Sequence, residues 1–170
     1  MQEIQPSVAP QDIVCMEVAA PPNAIVVFGA SGDLSRRKLL ASIFQIFTQD
    51  LLDERFYLLG CGRKKFSDES FREVSQQAIR ENISHVSIKD LNAFTEKLYY
   101  IDGDYSDAAF YKRIKARLAE LDKKHKVQDN LLFYLAVPPF LYPTIVEHLG
   151  SAGLACTEKL ATKKQIKLIV

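Results

Sequence analysis

Apolar residues along this chain alternate between two rhythms. The first unbroken run is Ala24-Ile25-Val26-Val27-Phe28, β-branched at its centre and stopped by Gly29. Continuous apolarity of this kind is how a strand covered on both faces of a parallel sheet reads. Beyond Gly32 the spacing becomes helical: Leu39, Leu40, Ile43, Phe44, Ile46 and Phe47 predict an amphipathic helix over residues 33–48. A second apolar run, Phe56-Tyr57-Leu58-Leu59-Gly60-Cys61, is broken by Gly62. Ser67 with Asp68 and Glu69 then offers an N-cap and first-turn acids for a helix through Arg80.

The alternation continues to the end of the chain. A helix is expected over 89–97, a short strand over 98–101 closed by Asp102-Gly103-Asp104, and a long helix capped by Asp104 or Ser106. That helix carries Phe110, Ile114, Leu118 and Leu121 on one stripe, and its end holds Lys123, Lys124, His125 and Lys126. Cations there suit the negative end of the helix dipole and read as a solvated face. A strand over 131–137 is stopped by Pro138-Pro139, a helix follows over 142–149 up to Gly150, and 166–170 opens a further strand. Strand and helix in repeated alternation, with right-handed crossovers, define an α/β fold: a Rossmann-like doubly wound parallel sheet with helices on both faces. The expected organisation is a single domain over residues 24–170, preceded by a flexible segment over 1–23 in which Pro6, Pro10, Pro21 and Pro22 discourage regular structure. Because the chain stops within an apolar run, the protein is expected to continue past Val170, with a substrate domain beyond it.

Composition narrows the field without choosing within it. The chain is 170 residues long, 48% hydrophobic and 25% charged, which suits one soluble domain with its own core. Its 22 basic and 21 acidic residues are well mixed, giving a net charge of +1 and no sign of a nucleic-acid or membrane face. Cys15, Cys61 and Cys156 lack metal-ligand spacing and read as isolated thiols of a reducing compartment, so no metal is expected. Neither a signal peptide nor a membrane span is evident, and a cytoplasmic location is expected.

The candidate chemistry lies between the first strand and the first helix, in Gly29-Ala30-Ser31-Gly32-Asp33-Leu34-Ser35-Arg36. An open α/β sheet receives a dinucleotide pyrophosphate at this place. Gly29 permits the tight turn, Gly32 leaves the backbone open to a phosphate, and the free amides of the first helical turn face the anion. Ser31 adds a hydroxyl donor, and Ser35 stands where a third glycine is usual. Arg36 and Arg37 are both in reach of a phosphate, with one of them expected to face solvent. A glycine pair at this spacing also occurs in ordinary turns, and the flanking strand and helix favour the binding reading. The second strand ends in Gly62-Arg63-Lys64-Lys65, without the acid that would bind a free ribose hydroxyl. Arg63 there favours the 2′-phosphate of NADP over NAD, the other reading being a basic loop in water.

These residues resemble the coenzyme motif of the glucose-6-phosphate dehydrogenases. The resemblance extends to Gly60-Cys61-Gly62-Arg63, to Tyr100-Ile101-Asp102-Gly103-Asp104-Tyr105, and to Leu135-Ala136-Val137-Pro138-Pro139 with Tyr142, in that order, over residues 24–170. It implies hydride transfer from C1 of glucose 6-phosphate to NADP⁺, giving 6-phosphoglucono-1,5-lactone in the oxidative pentose phosphate pathway. By resemblance Gly29 through Arg36 would hold the pyrophosphate and Arg63 the 2′-phosphate, with Lys64 assisting. Pro138, Pro139 and Tyr142 would lie near the nicotinamide; the proline pair reads equally as a plain strand stop. The full-length protein would be a homo-oligomer. The family's substrate lysine motif and catalytic histidine motif follow beyond Val170. His85, His125 and His148 do not match the latter, so no catalytic residue is expected here and the chain alone is expected to be inactive. A non-catalytic NADP-binding or assembly module of the same fold is the competing reading. A reductase or epimerase built on a Tyr-x-x-x-Lys pair ranks below both.

Overall fold

The computed structural model describes residues 19–128, 130–155 and 166–170. Cys15, Cys156 and most of the expected lead-in segment lie outside the described residues. Five strands, β1 (Ala24–Phe28), β2 (Tyr57–Gly62), β3 (Leu98–Asp102), β4 (Leu131–Leu135) and β5 (Ile166–Ile169), form one sheet in the order β3-β2-β1-β4-β5. Every pairing is parallel. Among the described residues, five α-helices lie along the connections: α1 (Leu40–Thr48), α2 (Asp68–Asn82), α3 (Ile88–Thr95), α4 (Ala108–His125) and α5 (Tyr142–Ser151). The expected Rossmann-like doubly wound sheet is therefore present.

The apolar runs sort themselves between two cores by the period of two of a strand. Ala24, Val26 and Phe28 face one side with Tyr57, Leu59 and Cys61, where α4 supplies Phe110, Ile114 and Leu118 and α5 supplies Ile145 and Leu149. Ile25, Val27 and Leu58 face the other side, against Ile43 and Phe44 of α1, Phe71 and Ile79 of α2, and Leu91 and Phe94 of α3. All residues of β1 and β2 are buried, which is why their sequences carry no polar alternation.

Local details differ from the sequence-based expectations in four places. The helix expected over 33–48 contains a π-helical turn over Ser35–Leu39 before the regular α1. The cap of α4 is Asp107, whose carboxylate accepts from the Ala109 amide at 2.8 Å. Asp104, one of the two residues expected there, is occupied by the Ser106 amide and hydroxyl at 2.9 and 2.8 Å. The strand expected over 131–137 ends at Leu135. Finally, α5 passes through Gly150, where a side chain would meet open space, and the left-handed turn falls at Gly153 (φ +66°). The Ser67 cap of α2 is observed: its hydroxyl accepts from the Ser70 amide at 3.1 Å, and its own amide donates in return to the Ser70 hydroxyl at 2.9 Å.

Register positions the functional end. Phe28 stands opposite Cys61 on one side and Leu135 on the other, so β1, β2 and β4 finish level. The chain leaves β1 toward β2 and later returns to the far side of β1 as β4. The crevice beyond the carboxyl ends of β1 and β4 is thus the topological switch point, the place where open α/β sheets bind ligands.

Candidate functional site

The turn after β1 is made by glycine for two physical reasons. Gly29 has φ +85°, a left-handed conformation, and a side chain there would drive into the Ala136 carbonyl and the Val137 side chain. Its amide donates to the Cys61 carbonyl at 2.9 Å and also to the Tyr105 hydroxyl at 3.0 Å. Its carbonyl accepts from the Gly32 amide and the Ser35 hydroxyl, each at 2.9 Å. The Arg36 amide closes on the Gly32 carbonyl at 3.1 Å. Among the described residues, the amides of Ser31, Asp33 and Leu34 make no such bond. Ser31 and Gly32 are half-buried while Asp33 and Leu34 are exposed. A bend of unpaired amides at a helix start is an anion site in form.

The side chains around the bend divide by direction. Ser35 is buried and its hydroxyl is spent on Gly29, so it fastens the turn from within. Arg37 pairs with Asp33 at 3.3 Å in solvent, and Arg36 is the arginine that turns toward the protein, as expected of one of the two. The Arg36 Nε is buried without a hydrogen-bond partner. Arg36 lines a small recess of about 20 Å³ together with Ala30, Ser31, Lys64 and Phe66, so the glycine turn and the β2 loop share one recess.

At the end of β2 the backbone is pressed close to its neighbours. A side chain on Gly62 would collide with the Tyr100 hydroxyl and lie 2.8 Å from the Ser31 Oγ. Tyr100 passes through that gap to donate to the Lys64 carbonyl at 2.9 Å, holding the basic loop against β3. Burial pushes the Tyr100 phenol above its ordinary value, against a lowering effect of its bond with Ser31. Arg63, Lys64 and Lys65 are exposed. Arg63 makes no hydrogen bond or ion pair among the described residues, although its charge reaches Asp104 and Tyr105.

On the other side of β1, the Ala136 amide donates to the Phe28 carbonyl at 2.9 Å. Pro138 and Pro139 follow two and three residues later, exposed, and a 3-10 turn over Pro139–Leu141 leads into α5 at the half-buried Tyr142. The strand thus stops three residues before the proline pair, and it is Ala136 and Val137 that pack against Gly29 at the switch point. Phe140 next to it is 77% exposed.

Two contributors were not read from the sequence as part of the site. Tyr100 and Tyr105 figured only within a resembling segment, and neither had a role, because a phenol's reach across two strands has no linear signal. The lowest-ranked reading needs a Tyr-x-x-x-Lys pair, and α4 carries one at Tyr111 and Lys115. The Tyr111 hydroxyl is buried on the Tyr105 carbonyl at 2.8 Å and Lys115 Nζ reaches the Ala152 carbonyl at 2.8 Å, so both are bound to backbone. His148 stacks on Tyr111 at 4.9 Å, and His125 lies 2.9 Å from the Tyr99 hydroxyl, away from the glycine turn. Burial raises the Cys61 thiol far above its ordinary value, which keeps it protonated and unreactive.

Sheet order, glycine turn and switch-point crevice together define a doubly wound domain of the dinucleotide-binding class. The residues present fit such a ligand: open amides at the bend, the unpartnered Arg36 Nε in the recess, and the unpaired Arg63 beyond it. Residues 26–170 match the family described as glucose-6-phosphate dehydrogenase, NAD binding domain, and the chain belongs to that family. The glucose-6-phosphate 1-dehydrogenase of Aggregatibacter actinomycetemcomitans is 40% identical over 130 residues, covering 76% of this chain and 26% of that protein. Its counterpart from Chlamydia muridarum is 34% identical over 155 residues, covering 89% and 30%. A solved glucose-6-phosphate dehydrogenase in complex with its substrate glucose-6-phosphate superposes with a TM-score of 0.73 at 28% identity, covering 90% of this chain and 31% of that one. This chain thus spans under a third of the length of these relatives. No helix among the described residues is long and apolar enough to cross a membrane.

Proposed function

We propose that this chain is the coenzyme-binding domain of a cytoplasmic glucose-6-phosphate dehydrogenase that prefers NADP⁺. The complete protein, a homo-oligomer, would oxidise glucose 6-phosphate to 6-phosphoglucono-1,5-lactone, opening the oxidative pentose phosphate pathway. The bound coenzyme supplies the hydride acceptor. The amides after Gly29 hold its pyrophosphate, with Gly32 allowing close approach and Arg36 adding charge from the recess. Arg63 and Lys64 receive the 2′-phosphate, and Pro138, Pro139 and Tyr142 flank the nicotinamide end. Residues 24–170 act as one unit in this role, and the base that takes the sugar proton belongs to a part of the protein outside this chain.

The observation that carries the coenzyme preference is Arg63: an exposed guanidinium at the carboxyl end of β2, without a protein partner among the described residues and with no acid in the loop that follows. A charge-assisted bond to a phosphate contributes about 1.5–3 kcal/mol, or roughly ten- to hundredfold in affinity. Calorimetric titration of both coenzymes tests the reading. NADP⁺ is expected to bind more tightly than NAD⁺, and Arg63→Ala to remove most of that difference while leaving NAD⁺ unchanged. Equal affinities in the unmodified chain would refute the assignment of Arg63.

A further inference from the structure

The carbonyl of Cys61, at the end of β2, is a meeting point of three donors. It accepts from the Gly29 amide at 2.9 Å, the Ala30 amide at 3.2 Å and the Tyr105 hydroxyl at 3.3 Å. A carbonyl has two lone pairs, so three donors cannot all be served well. The Tyr105 oxygen resolves the crowding by accepting from the Gly29 amide at 3.0 Å. One phenol therefore both donates at the end of β2 and accepts from the first residue of the glycine turn.

The phenol is held so that it cannot leave this position. Tyr105 is 5% exposed and its ring packs edge-on against Phe28, the residue before Gly29, with centroids 5.8 Å apart. Phe110 lies against it at 6.3 Å, and the Tyr105 carbonyl accepts from the Tyr111 hydroxyl at 2.8 Å. Burial pushes the Tyr105 phenol up to about 12, so it remains neutral and keeps its proton to donate. The ring thus braces the last residue of β1 while the oxygen braces the turn.

We propose that Tyr105 is a positioning residue for the coenzyme pyrophosphate: without touching the ligand, its hydroxyl holds Gly29 against β2 and sets the direction of the amides from Ser31 to Leu34. The proposal rests on the dinucleotide reading of the turn. Its physical content is that the amides bind an anion well only when the bend arrives already shaped, since ordering a loop at the moment of binding weakens affinity.

The test is Tyr105→Phe, which keeps the ring and removes only the hydroxyl, with Thr95→Val as a matched loss of a buried hydroxyl on the opposite core. Thr95 is 2% exposed and donates to the Leu91 carbonyl at 2.9 Å. In the full chain, Tyr105→Phe is expected to weaken NADP⁺ and NAD⁺ by the same factor, about three- to tenfold, the size of one hydrogen bond. Binding of adenosine 2′-monophosphate, which has no pyrophosphate, should be unchanged, and Thr95→Val should leave all three affinities alone. Weakening of NADP⁺ only, equal weakening by Thr95→Val, or no change would each overturn the proposal. An unmodified chain that binds neither coenzyme would instead overturn the dinucleotide reading on which it rests. Hydrogen exchange of the Gly29 amide in the unmodified chain provides a check that does not depend on the variant folding. Loop-like exchange overturns the clamp; protection equal to that of the β1 amides is expected, and because the Cys61 carbonyl also accepts this amide, its partial loss in Tyr105→Phe ties the protection to the phenol.

Discussion

The Ser35 hydroxyl donates to the carbonyl of Gly29 at 2.9 Å from inside the π-helical turn, six residues along the chain. It is 1% exposed, so the bond is made without competition from water. The first residue of the bend and the first turn of the helix are consequently one rigid piece. Ser35→Ala should remove the bond but not the Gly32 amide that shares the same carbonyl. The expected cost is about 1 kcal/mol, lowering the melting temperature by roughly 2–4 °C. Thermal unfolding followed by circular dichroism measures it, and an unchanged midpoint would show that the bond adds nothing.

The two glycines of the bend should fail in different ways. Gly29→Ala places a side chain at φ +85° and into the Ala136 carbonyl, and should destabilise the chain by about 2 kcal/mol or more. Gly32→Ala meets only the Gly29 carbonyl, at 3.0 Å, and does so without a left-handed φ. It should cost less stability and instead obstruct the approach of a phosphate. Urea unfolding and coenzyme titration of both variants separate the effects; the reverse pattern would contradict the roles given to them.

His125 predicts a pH dependence of stability. Burial pushes its imidazole below the ordinary value of 6.5, and Lys124 and Lys97 push it further in the same direction. It lies against the Tyr57 ring at 4.9 Å and 2.9 Å from the Tyr99 hydroxyl, which also accepts from Lys124 at 2.8 Å. As pH falls below 6.5 the unfolded chain takes up the proton first, so the folded state loses stability until the depressed folded value is passed. Urea unfolding at pH 7.5 and 5.5 should therefore show a larger loss for the unmodified chain than for His125→Gln. Equal losses would show that another group controls this range.

Much of the fold could be read directly from the chain. Ala24–Phe28 and Tyr57–Gly62 are apolar without interruption because both faces of each strand are covered, and that pattern marks central strands of a parallel sheet. The helices were legible where a cap or a stripe was local: Ser67 before α2, and Phe110, Ile114, Leu118 and Leu121 along α4. The cap of α4 was displaced from its expected position because Asp104, Ser106 and Asp107 are chemically equivalent candidates. Only the bonds made by Ser106 decide which of them is free.

The sequence by itself determined the glycine bend, the basic end of β2 and the alternation that requires a doubly wound sheet, because each depends on neighbours a few residues apart. It could not tell Arg36 from Arg37, or show that Ser35 points inward. Nor could it bring Tyr105 to Gly29 across 76 positions. Those outcomes depend on which strands lie side by side and on how level they end, and strand order is a property of the packed sheet, where contacts distant along the chain compete for the same space.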